Sequence, residues 1–442
     1  LGELIVEYLE DNEIAWRFIS SSFFTQDRGI DRSTRLSIYR FNDSDDMRLV
    51  KLEGLETDGK SYMLDGKYPL TQFGDSHWLY LPLTRKGWNS FVLGERTPER
   101  VSKDSLILEN DHITYEFDSN GRIVKAVDRM TGRDWMHGRA GNALRLYADT
   151  PQKWEAWDID YYYRYQEIET LQAVEHRYLV DNESFAALRF VYKTECSTIL
   201  QYAILPKQGR EIYFKTHADW NECRKLLRVE FPVDPMVEWA SCDIPYGLLK
   251  RKTHIQDEQD FARFEFAARG FVDVGDGKTG AALLSDSKYG YSCRDGALGM
   301  SLLRAPLDPD PFADLGEHSF VYAFCPYDDK PDHVRGISDA LNAPDIAVFA
   351  EEPISVDSQP LALEGSGVEL SVLKQAETSA ALVFRAVESG GQERLVMLRC
   401  DSSLVFNDAD LLEDVISDKE YRNGDLLEFR PFEIRTFVQN LR

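Results

Sequence analysis

The stretch Ile113-Thr114-Tyr115-Glu116-Phe117-Asp118-Ser119-Asn120-Gly121-Arg122-Ile123-Val124-Lys125-Ala126-Val127 decides the fold class. Ile113, Tyr115 and Phe117 alternate with polar neighbours, the period of a strand that buries one face. Asn120-Gly121 supplies the turn, with both residues expected at positive φ, and Ile123 to Val127 returns. A β-hairpin therefore opens the long middle part of the chain.

Working outward, further strand-like runs follow at Ala186-Leu188-Phe190-Tyr192, Leu200-Tyr202-Ile204, Ile212-Phe214 and through Phe264-Phe266. Many short strands and few helical stretches point to a large antiparallel sandwich over residues 104–345. Upstream, Leu36 to Tyr39 and Trp78 to Leu81 lie between Asp/Asn/Gly/Pro clusters and mark a small β domain within residues 1–103, ending near Pro98. It is preceded by a helical stripe of Leu1, Leu4, Ile5, Tyr8 and Leu9. Downstream, Val368-Leu370-Val372, Leu382-Phe384 and Leu395-Met397, with Gly390-Gly391 and Asn423-Gly424 as expected hairpin turns, make residues 346–442 a C-terminal β-sandwich. The fold class is mainly β in three domains, with no fixed-period repeat that would indicate a solenoid or propeller.

With 442 residues the chain exceeds one ordinary core, and 43% hydrophobic residues suffice for several. The net charge of -25, from 76 acidic against 51 basic residues, argues against nucleic acid and anionic membrane as partners, because both need clustered Lys and Arg. No run approaches the roughly 18 consecutive apolar residues of a membrane span, and the start lacks a signal-peptide pattern, so a cytoplasmic location is expected. The chain begins at Leu1 rather than at a methionine, as expected of a piece of something longer. Cys196, Cys223, Cys242, Cys293, Cys325 and Cys400 form no C-x-x-C pair and read as buried free thiols. The eight histidines form no metal-binding motif, so no cofactor or metal is expected on these residues.

Several blocks occur in a telling order: Gly141-Asn142, Trp154-Glu155-Ala156-Trp157-Asp158-Ile159-Asp160, His217-Ala218-Asp219-Trp220-Asn221-Glu222, Asp243-Ile244-Pro245-Tyr246-Gly247, Lys288-Tyr289-Gly290, Leu302-Leu303-Arg304-Ala305-Pro306, Gly316-Glu317-His318 and Glu433-Ile434-Arg435-Thr436. From about Asp104 onward the chain resembles the C-terminal half of glycoside hydrolase family 38, the α-mannosidases, in its cytosolic and bacterial branch. It departs from the family pattern after Phe264-Glu265-Phe266, where it reads Ala268-Arg269-Gly270-Phe271-Val272-Asp273-Val274-Gly275.

The resemblance implies a galactose-mutarotase-like central sandwich and a parent enzyme that hydrolyses terminal α-mannosides with retention. Such chemistry needs two carboxylates about 5 Å apart. In this family the nucleophile and the zinc site lie in an N-terminal domain. No carboxylate here matches the nucleophile motif, so these residues alone are expected to be inactive. Their implied partners are that catalytic domain and a mannose-containing oligosaccharide, and an unusually apolar exposed patch or self-association into a homo-oligomer is expected where that domain would sit. Sugar sites combine flat apolar faces with fixed polar groups, which singles out Trp154, Trp157, Asp158, Tyr246, Arg251 and Arg304 as pocket or domain-interface residues. Five also have a structural reading: core packing for the two tryptophans, turn capping for Asp158, a solvated face for Arg251 and an ion pair for Arg304. The rival functions are a stand-alone carbohydrate-binding protein and an aldose epimerase, the latter needing His217 or His254 beside Glu222 or Glu265.

Overall fold

A computed structural model gives the arrangement of the chain, describing residues 16–18, 35–40, 47–55, 57, 59–83, 87–97, 101, 103–328, 332–342, 345–350, 353 and 361–441. The helical stripe expected over residues 1–10 and the boundary near Pro98 lie outside these.

The hairpin that opens the middle region forms, pairing Ile113–Phe117 with Ile123–Asp128 in antiparallel register. Its turn differs in detail. Gly121 has φ +81°, whereas Asn120 is not among the residues at positive φ, and the register shifts between Glu116 and Phe117. Asp118 explains this, because its carboxylate accepts from the N–H groups of Asn120 and Arg122, both at 3.0 Å, and widens the loop to one with a bulge.

Beyond the hairpin stand two antiparallel sheets. The larger has nine strands in the order Ala173–Asp181, Phe185–Lys193, Thr198–Pro206, Ile212–Trp220, Gly316–Asp328, Thr279–Ser285, Phe271–Gly275, Trp239–Ile244, Gly247–Lys252. The smaller has six, in the order Glu167–Thr170, Ala143–Ala148, Lys225–Pro232, Ala297–Arg304, Gly290–Arg294, Phe266–Ala267. Leu188, Phe190, Ile212, Phe214, Tyr322 and Phe324 from the first meet Leu146, Val229 and Phe231 from the second in one core. At its centre Phe231 stacks on Phe324 with ring centroids 4.7 Å apart.

The alternate residues of the nine-stranded sheet are also apolar. Phe185, Ala187, Ile204, Tyr213, Ala323 and Cys325 point the other way, into a second core with Phe73, Trp78 and Tyr80 of the N-terminal domain. Burial on both faces is why these strands read as near-continuous apolar runs. Helix Asp332–Asn342 completes this layer through Val334, Ile337 and Leu341. Its length is too short for its spacing to stand out from the strands around it.

The N-terminal domain has a six-stranded sheet and a three-stranded one. Strand Ile346–Ala350, expected to open the C-terminal domain, instead pairs with Arg35–Arg40 and Trp16–Phe18 of this first sheet. The chain thus returns to its starting domain before entering its last. Such a return is invisible to local pattern, since an apolar pentapeptide fits any sheet. The C-terminal sandwich places Leu361–Glu364, Arg394–Cys400 and Leu426–Phe429 in one sheet and five strands in the other. Gly390-Gly391 and Asn423-Gly424 therefore do not close hairpins; each carries the chain from one sheet to the facing one. Glycine-rich turns specify reversal, not which neighbour the returning strand bonds to.

Candidate functional site

The six-stranded sheet turns one face to the core and the other outward, and the outward face combines buried polar groups with a small apolar cluster of Tyr147, Tyr163 and Leu226. On strand Lys225–Pro232, Leu227, Val229 and Phe231 go inward while Arg228 and Glu230 go outward. Arg228 is nevertheless fully buried. Its Nη1 donates to Glu265 at 2.9 Å and to the Ser301 hydroxyl at 2.6 Å, and its Nη2 donates to Ser292 at 2.7 Å. Gly299 leaves room for it, since a Cβ there would sit 2.9 Å from Nη2. Burial works against the charge on Arg228, but Glu265, Tyr163 and Glu230 outweigh it and hold the guanidinium protonated well above its ordinary value. The Tyr163 hydroxyl closes over the pair by donating to Glu265, from a 3₁₀ turn at Tyr161–Tyr165.

That turn ends the loop that carries the tryptophan block. Trp154 has φ +61°, a left-handed conformation that costs a side-chain-bearing residue about 1–2 kcal/mol. Its carbonyl accepts from the N–H groups of Trp157 at 2.8 Å and Asp158 at 2.9 Å, winding the segment into a tight turn. Two arginines hold the turn against the sheet. Arg304, the last residue of strand Ala297–Arg304, pairs through Nε with Asp149 at 2.6 Å, and its Nη2 donates to the carbonyls of Glu155 and Asp158, both at 2.9 Å. Arg224 forks onto the Glu155 carboxylate, which also accepts from the Leu307 N–H at 3.0 Å. Those contacts, Arg224 first, draw the Glu155 carboxyl below its ordinary range. Burial pushes Asp149 up, and Arg304 restores part of that.

The consequence is that two large side chains are displayed. Trp154 is 65% exposed and Trp157 70%, edge to face with centroids 6.3 Å apart. Neither packs in a core. Asp158 is exposed as well, one carboxylate oxygen accepting from the N–H of Ile159. The next turn adds Tyr161, packed on Phe261 at 4.6 Å and on Phe264 at 5.2 Å, and the exposed Tyr165.

Four of the six candidates, Trp154, Trp157, Asp158 and Arg304, thus belong to one constellation, with Arg304 beneath the loop and not on its surface. Tyr246 stands elsewhere, at φ +62° in the turn between Trp239–Ile244 and Gly247–Lys252, where it lines a cleft of about 680 Å³. Arg251 lies with its guanidinium 5.3 Å from the Phe266 ring, a packing position, and its Nε is buried without a hydrogen-bond partner. Sequence reasoning overlooked Arg228, Glu265 and Tyr163 as a unit, and Asp149 as the partner of Arg304. The signal for Arg228 was an arginine at an otherwise apolar strand position between Leu227 and Val229.

The pairs on which epimerase chemistry would rest are apart. His217 sits 3.7 Å from Asp75, His254 meets Thr253, Glu222 is taken by Thr194, Ser197 and Lys225, and Glu265 by Arg228. Among the described residues no three His, Cys, Asp or Glu side chains converge as metal ligands. Cys242, Cys293 and Cys325 are buried, whereas Cys196 and Cys223 are exposed, contrary to expectation, in turns beside Glu222.

Comparison with known proteins adds the following. The family model described as Glycosyl hydrolases family 38 C-terminal domain matches residues 108–312, and that of the Glycosyl hydrolases family 38 C-terminal beta sandwich domain matches residues 367–437. Alpha-mannosidase 2C1 of Homo sapiens is 33% identical over 349 residues, covering 76% of this chain and 33% of the human protein. Alpha-mannosidase G of Dictyostelium discoideum is 28% identical over 351 residues, covering 75% of this chain and 32% of that protein. The chain spans about a third of the length of these curated relatives. A crystal structure of an alpha-mannosidase from Enterococcus faecalis V583 shares the fold over 99% of this chain and 59% of its own, with a TM-score of 0.67 at 16% identity.

Proposed function

The chain belongs to glycoside hydrolase family 38, whose C-terminal domains it carries, and from that premise we propose that it serves as the scaffolding and pocket-completing region of a retaining α-mannosidase. The zinc and the two carboxylates that attack the anomeric carbon and protonate the leaving oxygen are assigned to a catalytic domain outside these residues. Among the described residues no side chains are grouped to hold a zinc ion.

One observation carries the reading: Trp154 and Trp157 are held out to solvent by a loop whose base is a buried ion pair. Exposing two indoles and a left-handed tryptophan costs free energy that a freely solvated loop would not retain. The C–H faces of a pyranose pack on such rings, and the exposed Asp158 carboxylate can accept from sugar hydroxyls. Arg304 and Arg224 fix the loop, so its geometry is set before substrate arrives. The exposed aromatics of this loop are also the proposed seat of the catalytic domain. A cytoplasmic location belongs to the same proposal, supported by six cysteines that form no disulfide in the structure.

The test is hydrolysis of 4-nitrophenyl α-mannoside by residues 1–442 alone and by the same residues joined to a family 38 catalytic domain, with and without zinc. Turnover is expected only in the joined, zinc-loaded protein. There, Trp154→Ala with Trp157→Ala should lower kcat/KM about tenfold or more, the loss of one stacked ring being worth about 1.4 kcal/mol. Turnover by residues 1–442 alone, or an unchanged kcat/KM in the double variant, would refute the assignment.

A further inference from the structure

The cleft lined by Tyr246 lies where the central sandwich, helix Asp332–Asn342 and the C-terminal sandwich meet. The helix is amphipathic in the required sense. Val334, Ile337 and Leu341 enter the core, while Arg335, Ser338, Asp339 and Asn342 line the cleft at positions three and four apart. The opposite wall comes from strand Val368–Gln375, including Glu369, Leu370 and Ser371. A volume of about 680 Å³ falls within the range of small-molecule sites.

The charged groups inside are short of partners. Asp243 has a side chain 7% exposed, and its carboxylate accepts one hydrogen bond, from the Gly270 N–H at 3.1 Å. Its other oxygen is 3.6 Å from Nη2 of Arg335, beyond hydrogen-bonding reach, and that Nη2 is buried with no hydrogen-bond partner. Nη1 of the same arginine stands 3.7 Å from Glu369. Neither contact is a hydrogen bond, so a hydroxyl lying beside the pair on the cleft side would find a donor and an acceptor still open to it. Asp339 opens into the same space, and burial, then Glu369, raises its carboxyl to about 7.

We infer that this cleft is a second ligand site, and that it takes a neutral saccharide. The near-balanced charge of the lining favours a neutral ligand over a simple ion. Asp243, Asp339 and Glu369 oppose Arg269 and Arg335, while the Lys374 ammonium turns away to Glu377 and Glu413. Three carboxylates repel an anion, and two guanidiniums among them repel a cation. A polyhydroxy compound presents a donor and an acceptor on every hydroxyl, so it can bridge Arg335 to Asp243 and to Glu369 and donate to Asp339. Tyr246, 46% exposed, with Ile244 and Leu370, offers the apolar face that sugar C–H groups need. The inference stands apart from the tryptophan loop and from any catalytic domain, since it concerns binding to this chain alone.

Saturation-transfer NMR on the full 442-residue chain tests it, with methyl α-mannoside and maltose as probes at about 10 mM, a level suited to millimolar affinity. Asp339→Leu removes a buried carboxyl that the fold does not pair, so it should keep or raise the thermal unfolding midpoint, and Ser371→Trp fills the cleft from an exposed strand position and should leave it unchanged. At least one probe is expected to bind, with affinity reduced about tenfold in Asp339→Leu and abolished in Ser371→Trp. Trp154→Ala with Trp157→Ala should retain it. Binding of neither probe, binding indifferent to both cleft variants, or binding lost with the tryptophans instead would overturn the inference.

Discussion

Arg304 is the residue whose removal should be felt most sharply in the tryptophan loop. It makes a 2.6 Å pair with Asp149, whose side chain is 2% exposed, and the pair shares two further bonds with loop carbonyls at 2.9 Å. Breaking a buried pair strands the remaining charge at a cost of about 3–5 kcal/mol. Arg304 is itself 16% exposed, which puts Arg304→Met at the low end, about 3 kcal/mol. The loss should be local. The N–H groups of Trp157 and Asp158, both bonded to the Trp154 carbonyl, report on it directly. At 1.4 kcal/mol per factor of ten, their hydrogen exchange should accelerate about 100-fold. Asp149 already titrates high because it is buried, and loses its counter-charge in the variant, so it binds a proton more readily and the cost should be smaller at pH 5 than at pH 8. Adding Asp149→Asn should recover about tenfold in protection by removing the stranded charge. Exchange changed by less than threefold in Arg304→Met, or equal exchange in the single and double variants, would refute the claim that this pair holds the loop.

Asp273 is pushed up to about 6 by burial despite the 2.8 Å bond it accepts from the Tyr327 hydroxyl. Its folded value lies above its unfolded one, so its contribution to stability is full below about pH 4 and is lost as pH rises through 6; Asp273→Asn should flatten the fall in midpoint between pH 4 and pH 7, and an unchanged slope would count against it. Gly74, at φ +64°, abuts the central sandwich, and a Cβ there would lie 2.7 Å from Nε2 of His217. Gly74→Ala should cost about 1–3 kcal/mol in denaturant unfolding, from backbone strain plus displacement of the imidazole, and a wild-type midpoint would show that the contact yields freely.

The two-sheet core was legible because strand period and turn chemistry are local. Ile113 to Phe117 and Ile123 to Val127 pair as their alternation requires. Partner choice was not legible. Ile346 to Ala350 reads as one more apolar strand, and its place beside Arg35–Arg40 depends on a sheet more than three hundred residues upstream. The same holds for Gly390-Gly391, where Glu388 accepts from both glycine N–H groups and from Phe432, fixing a turn that crosses between sheets. Nothing in a Gly-Gly pair distinguishes that from a hairpin.

The candidate site was legible in its exposed half alone. Trp154, Trp157 and Asp158 lie within one five-residue stretch, and their residue types are those the proposed sugar-binding role asks for. What makes the surface usable is assembled across the chain: Asp149 and Arg304 are 155 residues apart, and Arg224 reaches Glu155 from 69 away. Ionic groups beneath a loop are poor at adding stability, because desolvation takes back most of the attraction, but they penalise every arrangement in which the pair is not made. The outward face of the six-stranded sheet follows the same logic. Arg228 spans to Glu265, Ser292 and Ser301 on three other segments, where a leucine would fill the space with no directional demand. A face built this way trades net stability for a single loop conformation, as a binding surface requires if its tryptophans are to meet a ligand without first being ordered by it.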